Sequence, residues 1–391
     1  MEIFLHRLRQ AQARARRHKQ IRVAFLMVGL KNKVKSKQIL PNFQPLIRCE
    51  DTLSEMEKNV VGVILEDFTH LSDPLRVAQR LRETNPDAVA GIGVVTSPQD
   101  YENAEELIKA CREAMTRAGD SGEICYADEE AGSESYARLK LEADLDNALK
   151  NRELTTYYQP IFNLKHGTLT GFEALVRWNH PERGLLLPGA FLDIAEAQGQ
   201  LLKIDEFVLQ QALTQIPIWN AQCERSIYVC ANLASDHFLK EDHLTHLIKT
   251  LNTHPYSLNL LRIDVSEQVL FEKDGIESLK TLDMLDIGFN LDDFGVDSES
   301  FHCLGSFAFN SLKIDRALIQ QMEDEVNAEL IVAVLRIAKR MGMKTIAEGV
   351  VTHAQLEELR NLGCTEAQGF LFSEAVSVEE AGELINTEYR W

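Results

Sequence analysis

Apolar residues along this chain gather in short runs, and the stretches between those runs place them every three or four positions. The runs read as buried strands and the spaced stretches as helices. Residues 3–19 set arginine, lysine and histidine around Leu5, Leu8, Ala11 and Ala15, which predicts an amphipathic helix with a solvated basic face. Strands are then expected at Ile21–Val28, Val60–Leu65, Ala88–Val95 and Ile124–Tyr126, with helices at Asp73–Thr84 and at Ala104–Ala118, the second stopped by Gly119. Pro41 and Pro45 break any long helix between the first two strands. Alternating strands and helices over residues 1–130 predict a first α/β or α+β domain. Helical spacing returns at 134–153, so residues 131–153 are read as the helix that joins this domain to the next.

From Thr155 onward the alternation becomes regular. Runs at Thr156–Phe162, Thr168–Val176, Ile227–Asn232, Leu260–Val265, Ile287–Leu291, Ser311–Ile314, Lys344–Ala347 and Ala367–Leu371 are separated by helical stretches. Roughly eight strands over about 240 residues has the size and rhythm of a (β/α)8 barrel. Residues 154–391 are therefore predicted to form a TIM-like α/β barrel, with an open doubly wound sheet as the alternative.

Barrels of this kind carry their chemistry where strands end and loops begin. Most of the expected strands have a polar group inside or just past that point: Glu173, Asn232, Asp264, Asp292 with Asp293, Lys313 with Asp315, Glu348 and Gln368. A solvated turn would explain Asp292-Asp293-Phe294-Gly295 taken alone. So many polar ends in succession point instead to one shared rim. Five of these carboxylates and an asparagine amide are hard oxygen donors, which favour Mg2+ or Mn2+ over zinc, and no histidine or cysteine has zinc-site spacing. The adjacent Asp292 and Asp293 repel one another unless a cation lies between them, so a two-metal site for phosphodiester cleavage follows naturally. Lys313 supplies a point cation inside the acids, for phosphate or for the attacking water, and a salt bridge is compatible with that role.

Composition changes this picture only at its edges. A chain of 391 residues exceeds one ordinary core, so two domains are expected. A net charge of -19 argues against a broad DNA, RNA or anionic-membrane surface, and an anionic substrate needs local cations. The seven cysteines are odd in number and lack any Cys-x-x-Cys pair, which fits a reducing compartment. The longest apolar run, Val23–Leu30, is far shorter than a bilayer span. A cytoplasmic chain with neither signal peptide nor membrane segment is expected.

The strings Tyr157–Phe162 (YYQPIF), Gly171–Pro181 (GFEALVRWNHP), Asp292–Gly295 (DDFG), Leu312–Asp315 (LKID), Ala347–Val350 (AEGV) and Gln368–Ser373 (QGFLFS) resemble the EAL family, the cyclic di-GMP phosphodiesterases. The likeness implies that Glu173, Asn232, Asp264 and Asp292 hold one metal, with Asp292 bridging to a second that Asp293 and Glu348 complete. It places Lys313 on the attacking water, makes Gln159, Arg177 and Asp315 substrate contacts, and has Gln368 support the site. Lys313, Glu348 and Glu173 are the catalytic set it implies, and the reaction is opening of cyclic di-GMP to linear pGpG. A homodimer and a downstream protein partner are further implications.

Three departures from that family bear on rate. Asp264 stands where glutamate is usual and reaches one methylene less far, and misplacement by about 1 Å can cost on the order of 100-fold. Val296–Ser300 replaces the usual Thr-Gly-Tyr-Ser-Ser loop, although its anchor Glu267 is kept, and Val351 stands where glutamate is usual. The residues before Ala131 resemble a GGDEF domain in element order, in the strand Ala90–Val95 and in the helix end Ala114–Gly122. Its signature turn reads Glu57-Lys58-Asn59-Val60-Val61, and Met27 and Gly29 stand where a metal-binding aspartate belongs. Lacking those glycines and carboxylates, it is expected to have no diguanylate cyclase activity. Two functions stay open: a weakened or conditional phosphodiesterase, or a silent receptor that binds cyclic di-GMP or a protein and signals by domain movement.

Overall fold

A computed structural model describes residues 2–387 apart from 18–21, 32–33, 69, 71, 98–102, 120, 295–303 and 386. The chain divides into two compact units, residues 1–144 and 145–391. No helix among the described residues is long and apolar enough to cross a membrane.

The first unit is a five-stranded sheet with helices on both faces. Its strands are β1 (Val23–Leu30), β2 (Thr52–Glu57), β3 (Val60–Glu66), β4 (Val89–Ser97) and β5 (Ile124–Tyr126), in the order β2-β3-β1-β4-β5. β1 is antiparallel to β3 and β4, while β4 and β5 are parallel. Period-two alternation divides the residues of β1 between two cores. Ala24, Leu26 and Val28 pack with Leu75, Ala78 and Leu81 of the helix Asp73–Thr84. Phe25 and Met27 pack with Phe4, Leu8, Ala11 and Ala15 of the basic helix, Glu2–Arg17, and with Leu107 and Cys111 of the helix Ala104–Ala118. Phe4, rather than Leu5, sets the buried phase of that first helix. Gly93 lets the Ala104–Ala118 backbone approach β4, since a Cβ there would lie 2.2 Å from the Cys111 carbonyl oxygen.

Two elements escaped the apolar pattern. β2 is a polar edge strand, and Ser36–Phe43 is a short helix that contains Pro41. β2 and β3 form a hairpin in which Glu57 faces Val60, so Lys58 and Asn59 are its tip.

The second unit closes into an eight-stranded barrel. Its strands are β6 (Leu154–Asn163), β7 (Thr168–His180), β9 (Tyr228–Asn232), β10 (Leu261–Ser266), β11 (Gly288–Phe294), β12 (Ser311–Ile314), β13 (Lys344–Ala347) and β14 (Glu366–Ala367). A short β8 (Gly184–Leu186) lies outside the ring, paired to β7. The order β6-β14-β13-β12-β11-β10-β9-β7, with β6 also bonded to β7, leaves no edge within that ring and rules out the open sheet.

One feature departs from a uniform βα repeat: β6 runs antiparallel to both β7 and β14. A four-residue turn replaces the expected helix between β6 and β7. Asn163 Oδ1 accepts from the Lys165 and His166 backbone N–H groups, and Gly167 takes φ +64, which a side-chain-bearing residue resists. The other barrel strands run parallel, so their C-terminal ends meet on one face.

Candidate active site

The parallel strands raise their polar ends to one level. Glu173 comes from β7, Asn232 ends β9, Asp264 sits in β10, Asp292 in β11 and Lys313 in β12, while Glu348 and Gln368 follow β13 and β14 directly. Gln159 of antiparallel β6 faces Glu173 in register. Alternation along each strand turns these side chains inward, with apolar neighbours such as Leu291, Leu312 and Ile314 facing the surrounding helices.

Lys313 is the hub. Its Nζ lies 2.8 Å from Glu348 Oε1, 2.9 Å from Asp264 Oδ2, 3.2 Å from Asp292 Oδ1 and 3.4 Å from Glu173 Oε1. Amides hold the acids from behind. Asn232 donates to Glu173 Oε1 at 2.8 Å, and Gln368 donates to Glu173 Oε2 at 2.6 Å and to Glu348 Oε1 at 3.0 Å. Asn290 donates to Asp264 Oδ1 at 2.7 Å. The Lys313 side chain is 1% exposed, so these contacts are made in a medium that screens charge weakly.

One ammonium among four carboxylates leaves negative charge in excess. Burial pushes the Asp264 carboxyl up to about 7; Lys313 offsets this only in part, and the Asp292 and Glu173 charges add to it. Glu348 is driven well above the usual carboxylate range by the same causes, burial first. Burial also works against ionised Glu173, but Lys313 and the Asn232 and Gln368 amides outweigh it and hold that group low. Burial opposes the charge on Lys313, and the acids outweigh burial, so the ammonium is held protonated well above its ordinary range.

A cavity of about 370 Å3 opens above this cluster, and Gln159, Glu173, Asp292, Lys313, Asp315, Glu348 and Gln368 contribute to its lining. Asp264 lies beneath Lys313, and Asn232 reaches the cluster through Glu173. Asp315 also caps the following helix by accepting from the Ala317 N–H at 2.7 Å. Arg177 is not in the lining: it is 8% exposed, its guanidinium lies 5.5 Å from the Tyr157 ring centroid, and it donates to the Val176 carbonyl. Glu267 follows β10 at the start of the helix Gln268–Phe271. The side chain of Asp293 and the whole of Val296–Ser300 lie outside the described residues.

Sequence reasoning missed Arg316, Gln320 and Phe370 in this lining. Arg316 follows Leu312–Asp315 directly, and its side chain lies over Gly349, which takes φ +67; a Cβ there would meet Arg316 Cγ at 2.2 Å. Phe370, within Gln368–Ser373, lines the same cavity and is 68% exposed.

The donors fit a hard divalent cation in chemistry and charge. They are oxygen ligands from neighbouring strand ends, and positive charge is what Asp264 and Glu348 lack. Among the described residues no three acids already stand as a preformed cage; they close on the Lys313 ammonium. A second, larger cavity of about 520 Å3 lies in the first unit, where Asp51, Glu66, Asp73 and Glu83 share the lining with Arg48, Arg76 and Arg80.

The family model for the EAL domain matches residues 142–375. The bifunctional diguanylate cyclase/cyclic di-GMP phosphodiesterase MucR of Pseudomonas aeruginosa is 30% identical over 349 residues, which cover 85% of this chain and 51% of that protein. The cyclic di-GMP phosphodiesterase NbdA of the same organism is 28% identical, over 84% of this chain and 44% of its own length. The chain thus spans about half the length of these curated relatives. Among solved structures, the MucR phosphodiesterase in complex with c-di-GMP is similar, with 33% identity, a TM-score of 0.59, and coverage of 62% of this chain and 99% of that one.

Proposed function

The chain belongs to the EAL domain family, and on that premise we propose that its barrel is a metal-dependent phosphodiesterase that opens cyclic di-GMP to linear pGpG. The observation that carries this reading is the convergence of Glu173, Asp264, Asp292 and Glu348 on Lys313 at the ends of separate strands.

Glu173, Asn232, Asp264, Asp292, Asp293 and Glu348 would hold Mg2+ or Mn2+. Such ions, when bound, supply Lewis acidity that stabilises the attacking and leaving oxygens of a phosphodiester. Lys313 is held protonated by the acids around it, so it is no proton acceptor; it serves as a hydrogen-bond donor and point charge toward the attacking water. Glu348, whose carboxyl burial raises above the usual range, lies 2.8 Å from Lys313 Nζ and would act with it at the reacting centre. Gln368 fixes Glu173 and Glu348 relative to one another. Arg316 belongs on a substrate phosphate: it lines the cavity, and among the described residues its guanidinium has no ion pair. Gln159 and Asp315 line the same cavity and would contact the nucleotide. Arg177, which lies beside Tyr157 and outside that lining, would be a further nucleotide contact.

The first unit is read as a degenerate GGDEF domain without cyclase activity. In support, the MucR match covers more of the chain than the barrel unit contains, and the residues where the signature turn belongs form the glycine-free tip of the β2–β3 hairpin. The six described cysteines are free, which fits a cytoplasmic setting. A homodimer has a candidate face on the helix Glu325–Met341, where Val326, Leu330 and Met341 form one exposed apolar stripe.

One observation favours the receptor reading. Asp264 is 2% exposed, does not line the cavity, and already has its two oxygens engaged, one by Asn290 and the other by Lys313. Calorimetric titration of cyclic di-GMP with and without Mn2+, with pGpG followed by chromatography, decides between the readings. Turnover supports the enzyme, and tight binding without product replaces it with the receptor.

A further inference from the structure

Asn290 is the third residue of β11 and is fully buried, in register with Asp264 on β10 and Ser311 on β12. Its Nδ2 donates to Asp264 Oδ1 at 2.7 Å and to Cys230 Sγ at 3.2 Å. Its Oδ1 is buried and has no hydrogen-bond partner among the described residues. A buried amide oxygen left unpaired is costly, and an aliphatic side chain of similar volume would avoid that cost. Asp264 Oδ2 meanwhile faces Lys313 Nζ at 2.9 Å. The two Asp264 oxygens are thus inequivalent, one tied to a neutral amide deep in the barrel and the other turned toward the charged cluster.

We propose that Asn290 is a positioning residue for metal uptake: it clamps Asp264 Oδ1 so that Oδ2 is the oxygen presented to a divalent cation at the rim. This rests on the reading that the rim binds such a cation. A short aspartate that rotated freely about its side-chain bonds would divide its time among Lys313, Asn290 and solvent-side rotamers, and fixing one oxygen removes that freedom before a metal arrives. The same clamp explains why a polar residue with an unpaired oxygen is kept in the barrel interior. Cys230 adds a second, weak acceptor that holds the amide plane. Its thiol is buried and its pKa is raised well above the ordinary range, with burial the largest cause, so it contributes shape and not charge.

The test is a double-mutant cycle read by Mn2+ affinity, from calorimetry and from the electron paramagnetic resonance of free Mn2+, on the full chain. Asn290→Leu keeps volume and removes the donor, and it is expected to weaken Mn2+ binding about tenfold, the usual scale for losing a partner of a ligand. In an Asp264→Asn background the same change is expected to do nothing further, because Asn290 acts through that carboxylate. Asn290→Ala provides a second route should the leucine variant fail to fold. Unchanged affinity in a folded Asn290 variant overturns the proposal, as does an equal loss with and without Asp264. If the wild-type chain takes up no Mn2+, the metal reading falls and this inference falls with it.

Discussion

The two ends of the barrel carry opposite charge balances. At the start of the strands, buried Glu366 accepts from Tyr228 Oη at 2.7 Å and from Lys344 Nζ at 2.9 Å. Arg262 Nη1 lies 3.8 Å from Glu366, and its guanidinium stacks 3.4 Å from the centroid of the Tyr228 ring and donates to Ser311. Two cations thus share one acid. At the other end, four acids, from β7, β10, β11 and the residue after β13, share the Lys313 ammonium of β12. The first end is saturated by its own side chains and seals the barrel. The second is short of positive charge, which is what a site for divalent cations requires before they bind.

If this contrast is sound, the same kind of substitution should act on stability at one end and on function at the other. The largest effect is expected from Glu366→Ala, which leaves Arg262 mostly buried and uncompensated and should cost about 3–5 kcal/mol in denaturant unfolding with the Mn2+ affinity retained. Lys313→Met removes the donor to water and should lower pGpG formation by about 100- to 1000-fold, comparable to losing one preorganised donor at a reacting centre. Arg316→Ala should weaken cyclic di-GMP binding about tenfold while Mn2+ uptake is unchanged, because Arg316 lines the cavity without touching the acids. A loss of Mn2+ uptake in that variant would place Arg316 in the metal cluster instead.

The smallest effect is a pH slope. Asp264 is raised to about 7 in the folded chain, above about 3.9 for a free aspartate. The folded state therefore keeps a proton that the unfolded state has released, so this group's stabilisation is complete below about pH 4 and is lost as pH rises through about 7. Metal-free wild type should lose melting temperature between about pH 5 and pH 7.5 more steeply than Asp264→Asn. Equal slopes would show that Asp264 is ionised throughout.

Much of this was legible in the chain, for identifiable reasons. The barrel strands from β9 to β13 lie within a few residues of their apolar runs, because they are buried on both faces and interrupted by capped helices. The reversed direction of β6 was not legible, since period-two alternation is blind to direction and the turn between Asn163 and Thr168 is only four residues long. β2 was hidden because an edge strand need not be apolar. At the rim, Glu173, Asp264, Asp292, Lys313, Glu348 and Gln368 could be listed as one set because each lies inside or just past a predicted strand. Tyr228, Arg262, Lys344 and Glu366 could not, since polar residues at strand starts look like ordinary flanks until the barrel closes. Asn290 was in view beside Asp292, but nothing in the sequence tells that its amide would turn to Asp264.

The central claim, that the rim is short of positive charge and binds divalent cations while the opposite end does not, is tested most directly by titrating Mn2+ into the metal-free chain and into Asp292→Asn and Lys344→Met. The account predicts uptake by the wild type with a rise in melting temperature, loss of that uptake in Asp292→Asn, and unaltered uptake in Lys344→Met. Uptake that survives Asp292→Asn, or no uptake by the wild type, would contradict it.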